Sequence, residues 1–222
     1  MLIAIIGDLI KSKGIKDRDL VQSKLRNILE TVNRNYASMI ASDFTITLGD
    51  EFQGVLKQGP MILEMLDRIK FEMKPVEIRF GIGIGEISTK IFRDNSLGAD
   101  GSAYWNAREA INGLKENNDY ATSKVFVVAE KEKQWLNVMN ESLRMCDYLE
   151  SKWRGSQLEF MCRMIKNYGY DIDIKQKTIA INFGMSNQMI NKKIQNTGYY
   201  NYIRLKRELS TMIEHERMDK NG

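Results

Sequence analysis

Between Val76 and Ile87 the chain alternates with a period of two. Val76, Ile78, Phe80, Ile82 and Ile84 fall on one side, and Glu77, Arg79, Gly81, Gly83 and Gly85 on the other. Strict alternation is the pattern of a β-strand with two unlike faces. The apolar face calls for a core. The opposite face carries glycine at three successive outward positions, so a helix or a ligand can approach its backbone closely. These glycines lie inside a strand rather than between a strand and a helix, which excludes a dinucleotide-binding loop.

The neighbouring segments supply partners for that strand. Leu2-Ile3-Ala4-Ile5-Ile6 reads as a buried strand ending at Gly7-Asp8. Asp17 stands where it can cap a helix whose positions Leu20, Val21, Leu25, Ile28, Leu29, Val32 and Tyr36 keep helical spacing. Residues 44–48 and 52–56 read as two strands joined by a tight turn at Gly49-Asp50. Pro60 opens a second helix with Ile62, Leu63, Leu66 and Ile69 as its core face. After Gly98 and Gly101 a helix is predicted over 102–114, and 124–128 is a last strand. Strand, helix, strand, strand, helix, strand, then helix and strand, is the order of a ferredoxin-like, palm-type unit with one appended element pair.

From about residue 130 the pattern is helical. Trp135, Met139, Leu143, Cys146, Leu149 and Trp153 recur every three or four residues, a stripe that either packs into a core or forms a dimer seam. Further helices are predicted over 157–167, 174–183, 186–195 and 200–214. The expected class is α+β: a palm-type domain over 1–130, a connector helix over 131–153 and an all-α domain over 154–222.

Apolar residues make up 43% and charged residues 28% of the 222, enough to bury a sizeable core and to exclude wholesale disorder. The apolar run at Leu2–Ile6 is far short of the ~20 residues of a membrane helix, and no secretory signal pattern is present. No membrane partner is expected. Cys146, Cys162 and the single His215 match no zinc-ligand spacing and cannot build a disulfide framework, so a reduced, cytoplasmic protein without zinc is expected. Residues 152–222 carry 13 Lys/Arg against 7 Asp/Glu, whereas the preceding part is slightly acidic. A basic C-terminal third suggests an anionic partner there.

The run from Lys177 to Ile194 resembles a helix-turn-helix of the bacterial regulator type. Ala180 lets two helices approach, Gly184 tolerates a left-handed turn, and Ile179, Phe183, Met185 and Ile190 fill the wedge between them. Ser186 can cap the second helix, with Asn187, Gln188, Asn191, Lys192 and Lys193 near its start. Such residues hydrogen-bond base edges and phosphates when a helix enters the major groove, which makes DNA the expected partner. The alternative is a helical pair that only packs. Tyr199, Tyr200 and Tyr202 interleave with Arg204, Lys206 and Arg207, either as a phosphate-contacting surface or as a helix that buries its tyrosines and solvates its cations.

Two carboxylate positions stand out in the N-terminal part. Asp8 ends the first strand and Asp50-Glu51 sits at the hairpin tip, and in a palm-type sheet those strands are neighbours. Convergent carboxylates suit Mg²⁺ or Mn²⁺, with phosphate oxygens completing the shell. Lys11, Lys13 and Arg108 are candidates for phosphate-binding charge. Turn and capping roles are the alternative for Asp8 and Asp50. The sequence has no Walker A motif, and no nucleophile–base pair is visible.

Gly7-Asp8, Gly49-Asp50-Glu51-Phe52, the run from Arg79 to Glu86 and Ala107-Arg108 resemble class III nucleotide cyclases and, more distantly, GGDEF-type cyclase domains. The resemblance covers about residues 1–128. It implies Asp8 and Asp50 as metal ligands, with Glu51 beside them, and Arg108 as a holder of phosphate or transition-state charge. One departure is clear: such cyclases carry an Asn four positions before the helix Arg, where this chain has Tyr104. Over its whole length the chain resembles the SatD family through the run Ile6–Lys13, Gly49-Asp50-Glu51-Phe52-Gln53 and the run Asp100–Arg108. That likeness implies a bacterial cytoplasmic protein and specifies no reaction. Together these readings predict a DNA-binding regulatory protein whose nucleotide-cyclase-like domain senses a nucleotide, with a divalent metal and a homodimer in view. The alternative is a Mg²⁺- or Mn²⁺-dependent nucleotidyl cyclase or nucleotidyltransferase.

Overall fold

β-Branched and aromatic residues at alternate positions build five strands in the computed structural model, which describes residues 1–14, 16–47, 49–116, 122–130 and 134–218. They are β1 (Leu2–Leu9), β2 (Ile40–Ile46), β3 (Glu51–Leu56), β4 (Ile78–Gly85) and β5 (Val125–Ala129), in the order β2-β3-β1-β4-β5. β1 is antiparallel to both β3 and β4, β2 is antiparallel to β3, and β5 adds to β4 in parallel. β1 is therefore the central strand, and it runs through Asp8 to Leu9, further than the apolar run alone predicts. β2 begins four residues earlier than the alternation suggests. Its register shifts at Ser42 and again before Thr45 hide the period, and the buried Ser42 hydroxyl donates to the Phe92 carbonyl.

Helices cover both faces. α1 (Arg18–Asn35) and α2 (Ile62–Met73) lie on the face carrying Ile3, Ile5, Phe52, Phe80 and Ile82. Asp17 occupies the N-cap position of α1 without making a side-chain cap bond. The other face is thinner, formed by Ala4, Ile6 and Val55 against Ala103, Ala107 and Ile111 of α3 (Ser102–Glu116). Here the bare face of β4 finds its occupant. A Cβ on Gly83 would stand 2.0 Å from the Ala103 carbonyl oxygen and 2.2 Å from the Ala107 nitrogen, and one on Gly81 would stand 2.3 Å from the Ala107 oxygen. The glycines admit a helix backbone, not a ligand.

The C-terminal part is helical: α4 (Gln134–Lys152), α5 (Ser156–Tyr168), α6 (Gln176–Phe183), α7 (Asn187–Thr197) and α8 (Tyr199–Met218). One cluster of buried apolar side chains runs from Ile3 on β1 to Ile213 on α8 without a break. The stripe of α4 enters it, burying Met139, Leu143 and Cys146, with Trp153 just beyond. That stripe is core, not seam. Tyr199 and Tyr202 are buried as well, and Lys206 is buried with them rather than solvated.

Lys206 is buried because α2 carries a carboxylate into the core. Asp67 accepts from Lys206 Nζ at 2.8 Å, from Tyr202 at 2.8 Å and from Tyr170 at 2.5 Å, and it pairs with Lys70 at 3.0 Å. Lys70 also reaches Glu150 of α4, which Lys74 approaches to 3.2 Å and Lys124 to 3.6 Å. Burial alone would raise the Asp67 and Glu150 carboxyls. The surrounding lysines outweigh it and hold both below their ordinary values, Lys206 and Lys70 for Asp67 and chiefly Lys70 for Glu150.

Substitution in the α3 interface separates steric from propensity effects. Gly83→Ala should destabilise the chain by more than about 2 kcal/mol, since backbone atoms cannot yield. Gly113→Ala, on α3 itself and with nothing within 4 Å of its new Cβ, should stabilise it by up to about 1 kcal/mol. Urea midpoints at constant m-value check both.

The buried carboxylates set a pH dependence. Their folded pKa values lie below the ordinary 3.8 and 4.5, so the unfolded chain binds protons first as pH falls. Their contribution is complete above those ordinary values and is lost as pH drops through the folded ones. Denaturation at stepped pH should show stability falling below pH 4.5. Glu150→Gln should flatten that fall and lower stability at neutral pH by about 3–5 kcal/mol, the cost of breaking a buried pair.

Candidate functional site

At one end of the sheet, β1 register places Asp8 directly between Glu51 of β3 and Arg79 of β4. Strand alternation turns Asp8 to the same side as Ala4 and Ile6, the side covered by α3. From α3, Arg108 grips Glu51 through two parallel hydrogen bonds of 2.5 and 2.7 Å. Two turns further along, Lys115 lies 3.6 Å from Asp8, which Arg79 Nε meets at 3.1 Å. Two carboxylates thus face three cations in a ladder across the sheet end. Burial pushes the Asp8 carboxyl up, more than Lys115 and Arg79 pull it down, and Asp50 and Glu51 add to the rise. Arg108 is held above its ordinary value by its bond to Glu51.

Asp50 is turned elsewhere. Its carboxylate accepts from the Ser12 hydroxyl, on a recess of about 190 Å³ that Arg18, Val21 and Gln22 of α1 also line. Lys11, in the left-handed region at φ 58°, is exposed beside a 3-10 turn at Ser12–Gly14. The Lys13 side chain lies outside what is described. Of the predicted ligands Asp8, Asp50 and Glu51, the sheet brings Asp8 and Glu51 together. As arranged, the donors do not fit a divalent cation: Asp8 and Glu51 are each engaged by cations, Asp50 by Ser12. No group of three His, Cys, Asp or Glu side chains suited to a metal occurs among the described residues.

Tyr104, at the position where cyclases carry Asn, is buried with its hydroxyl 3.4 Å from the Ser96 carbonyl. Asn106 donates to the Ile84 carbonyl at 2.8 Å, tying α3 to β4. Arg79 and Lys115 were not singled out by the sequence. Both carried a signal: Arg79 shares a strand face with the glycines, and Lys115 follows Arg108 by two helical turns.

A second candidate surface lies at α6 and α7. Gly184 is left-handed at φ 65°, and the Met185 N–H closes the end of α6 on the Ala180 carbonyl. Ser186 caps α7, accepting from the Met189 N–H at 3.2 Å. Ile179, Ala180, Phe183, Ile190 and Ile194 are buried between the two helices and the body. The far end of α7 is pinned, since Trp153 donates to the Thr197 carbonyl at 3.0 Å and Gln157 to that of Asn196. Ser186, Asn187, Gln188, Asn191 and Lys192 are exposed on one face. Lys193 departs from the expected face: its ammonium donates to the Ser156 carbonyl at 3.1 Å and lies near the Phe160 ring, so it braces α7 against α5.

A test of the ladder follows from the raised Asp8 carboxyl. A folded pKa above the ordinary 3.8 means that ionised Asp8 opposes folding at neutral pH and that this effect vanishes as pH falls. Asp8→Asn should therefore melt no lower than the native chain at pH 7, and the two curves should converge in acid. Thermal denaturation across pH reads this directly.

The model of the SatD family matches residues 2–213. No curated protein matches the chain. No described helix is long and apolar enough to cross a membrane.

Proposed function

The chain belongs to the SatD family, and we infer that it is a DNA-binding regulatory protein. In this reading α6 and α7 form a helix-turn-helix, and the N-terminal part is a ferredoxin-like, nucleotide-cyclase-like unit that takes a phosphate-bearing ligand. The observation that carries it is the exposed polar face of α7. Its apolar residues Ile190 and Ile194 are used inside, while Ser186, Asn187, Gln188, Asn191 and Lys192 project from its capped N-terminal end. A recognition helix offers its N-terminal side chains in this way. The surplus of 13 cations over 7 acids in residues 152–222 supplies the attraction to phosphate.

For the N-terminal unit, the strand order β2-β3-β1-β4 and the alternation of strands and helices support the ferredoxin-like reading. Three cations against two carboxylates favour an anionic ligand at the ladder, with Arg108 as its first contact. The reading does not need a divalent metal.

Fluorescence anisotropy with labelled duplexes from the surrounding genome should show binding that weakens steeply with salt. Lys192→Ala should reduce the salt slope by about one unit, and Gln188→Ala should cost about 1–3 kcal/mol on the preferred site alone. Absence of binding to every such duplex at low salt would overturn the inference.

A further inference from the structure

The outer side of α4 has a pattern of its own. Gln134, Val138, Glu141, Met145, Tyr148 and Lys152 are all exposed and recur at intervals of four and three residues, the spacing of a helix-pairing seam. Val138, Met145 and Tyr148 are 61%, 64% and 49% exposed, three large apolar side chains on one face of a helix whose opposite face is already spent in the core. The Lys152 ammonium lies over the Tyr148 ring, 4.4 Å from its centre, and Arg144 lies 3.6 Å from Glu141, and the apolar members of the stripe remain open to solvent.

We propose that this stripe is the seam of a two-fold symmetric homodimer in which the α4 helices of two copies pack antiparallel. Charge decides the occupant and the direction. In an antiparallel pair whose centre is Met145 against Tyr148 of the second copy, Glu141 falls opposite Lys152 of that copy, and two-fold symmetry repeats each pairing. Four layers result: two sulfur–aromatic contacts at the centre, flanked by two opposite-charge pairs, with Val138 outside them because it faces position 155, beyond the end of α4. A parallel pair would set Glu141 against Glu141 and Lys152 against Lys152, which repels. The stripe is thus complementary to itself in one direction only. This inference is independent of the DNA-binding reading.

Sedimentation of the full chain without DNA tests it. The native chain should move as a dimer of twice 25.7 kDa at high concentration and dissociate on dilution. Met145→Glu should weaken association by at least about tenfold, with an unchanged circular-dichroism spectrum and, at dilutions where both chains are monomeric, an unchanged melt because the site is exposed. Glu141→Lys and Lys152→Glu should each weaken it, and the double exchange should restore it. A native chain that stays monomeric, a dimer indifferent to Met145→Glu, or a double exchange that fails to rescue would each overturn the proposal.

Discussion

Asp67 is the point at which distant stretches of the chain are tied together. It sits on the inner side of α2, yet its oxygens are taken by Lys206 and Tyr202 of α8 and by Tyr170 between α5 and α6. A carboxylate buried there alone would be intolerable, since its desolvation costs several kcal/mol. The C-terminal helices remove that cost only by arriving in one register. Apolar packing is permissive about register, whereas a buried charge with directed partners is not. The same logic extends outward through Lys70 to Glu150 and from there to Lys124, which also meets Glu77 just before β4. Asp147 closes the far side by accepting the Lys124 and Val125 N–H groups at the start of β5. The helical part is welded to the sheet by this cluster, so the apolar core runs from β1 to α8 as one body.

How much of this was legible depends on whether the signal was periodic. The strand faces of β1, β3 and β4, the helices that follow them and the capped turn before α7 all rest on local spacing, and the structure has them. The carboxylates Asp8 and Glu51 were brought together by sheet order, which the element sequence implied. The buried ion cluster was invisible to apolar periodicity because Asp67, Lys70, Glu150 and Lys206 are the residues that such counting assigns to solvent. A trace existed nonetheless. Asp67 and Lys70 fall four residues after Leu63 and Leu66, on the face that α2 buries, and Lys206 follows Tyr199 and Tyr202 at helical intervals. Charges on an apolar face ask for partners, and beyond the Asp67–Lys70 pair itself the partners lie 80 and 139 residues away. No local pattern encodes that pairing.

The cyclase-like signature has a similar lesson. Each residue that carries it has an internal partner: Asp8 with Arg79 and Lys115, Asp50 with Ser12, Glu51 with Arg108. Sequence shows which groups are present, but not which of them satisfy one another. Arg79 and Lys115 decide the chemistry of the ladder, because they occupy the Asp8 carboxylate that would otherwise be open to a cation.

Those internal pairs differ in how firmly they are held. Arg108 is 45% exposed, and an ion pair open to water is worth about 0–1 kcal/mol even when its geometry is good. Asp8 and Arg79 are only 10% and 17% exposed, and separating them leaves a buried carboxylate whose ionised form burial already disfavours. The Arg108–Glu51 pair is therefore the more easily opened of the two, which is why the proposed anionic ligand is assigned to Arg108 first. Glu51 stands opposite Asp8 on the neighbouring strand, so Arg108 and Arg79 hold two like charges side by side.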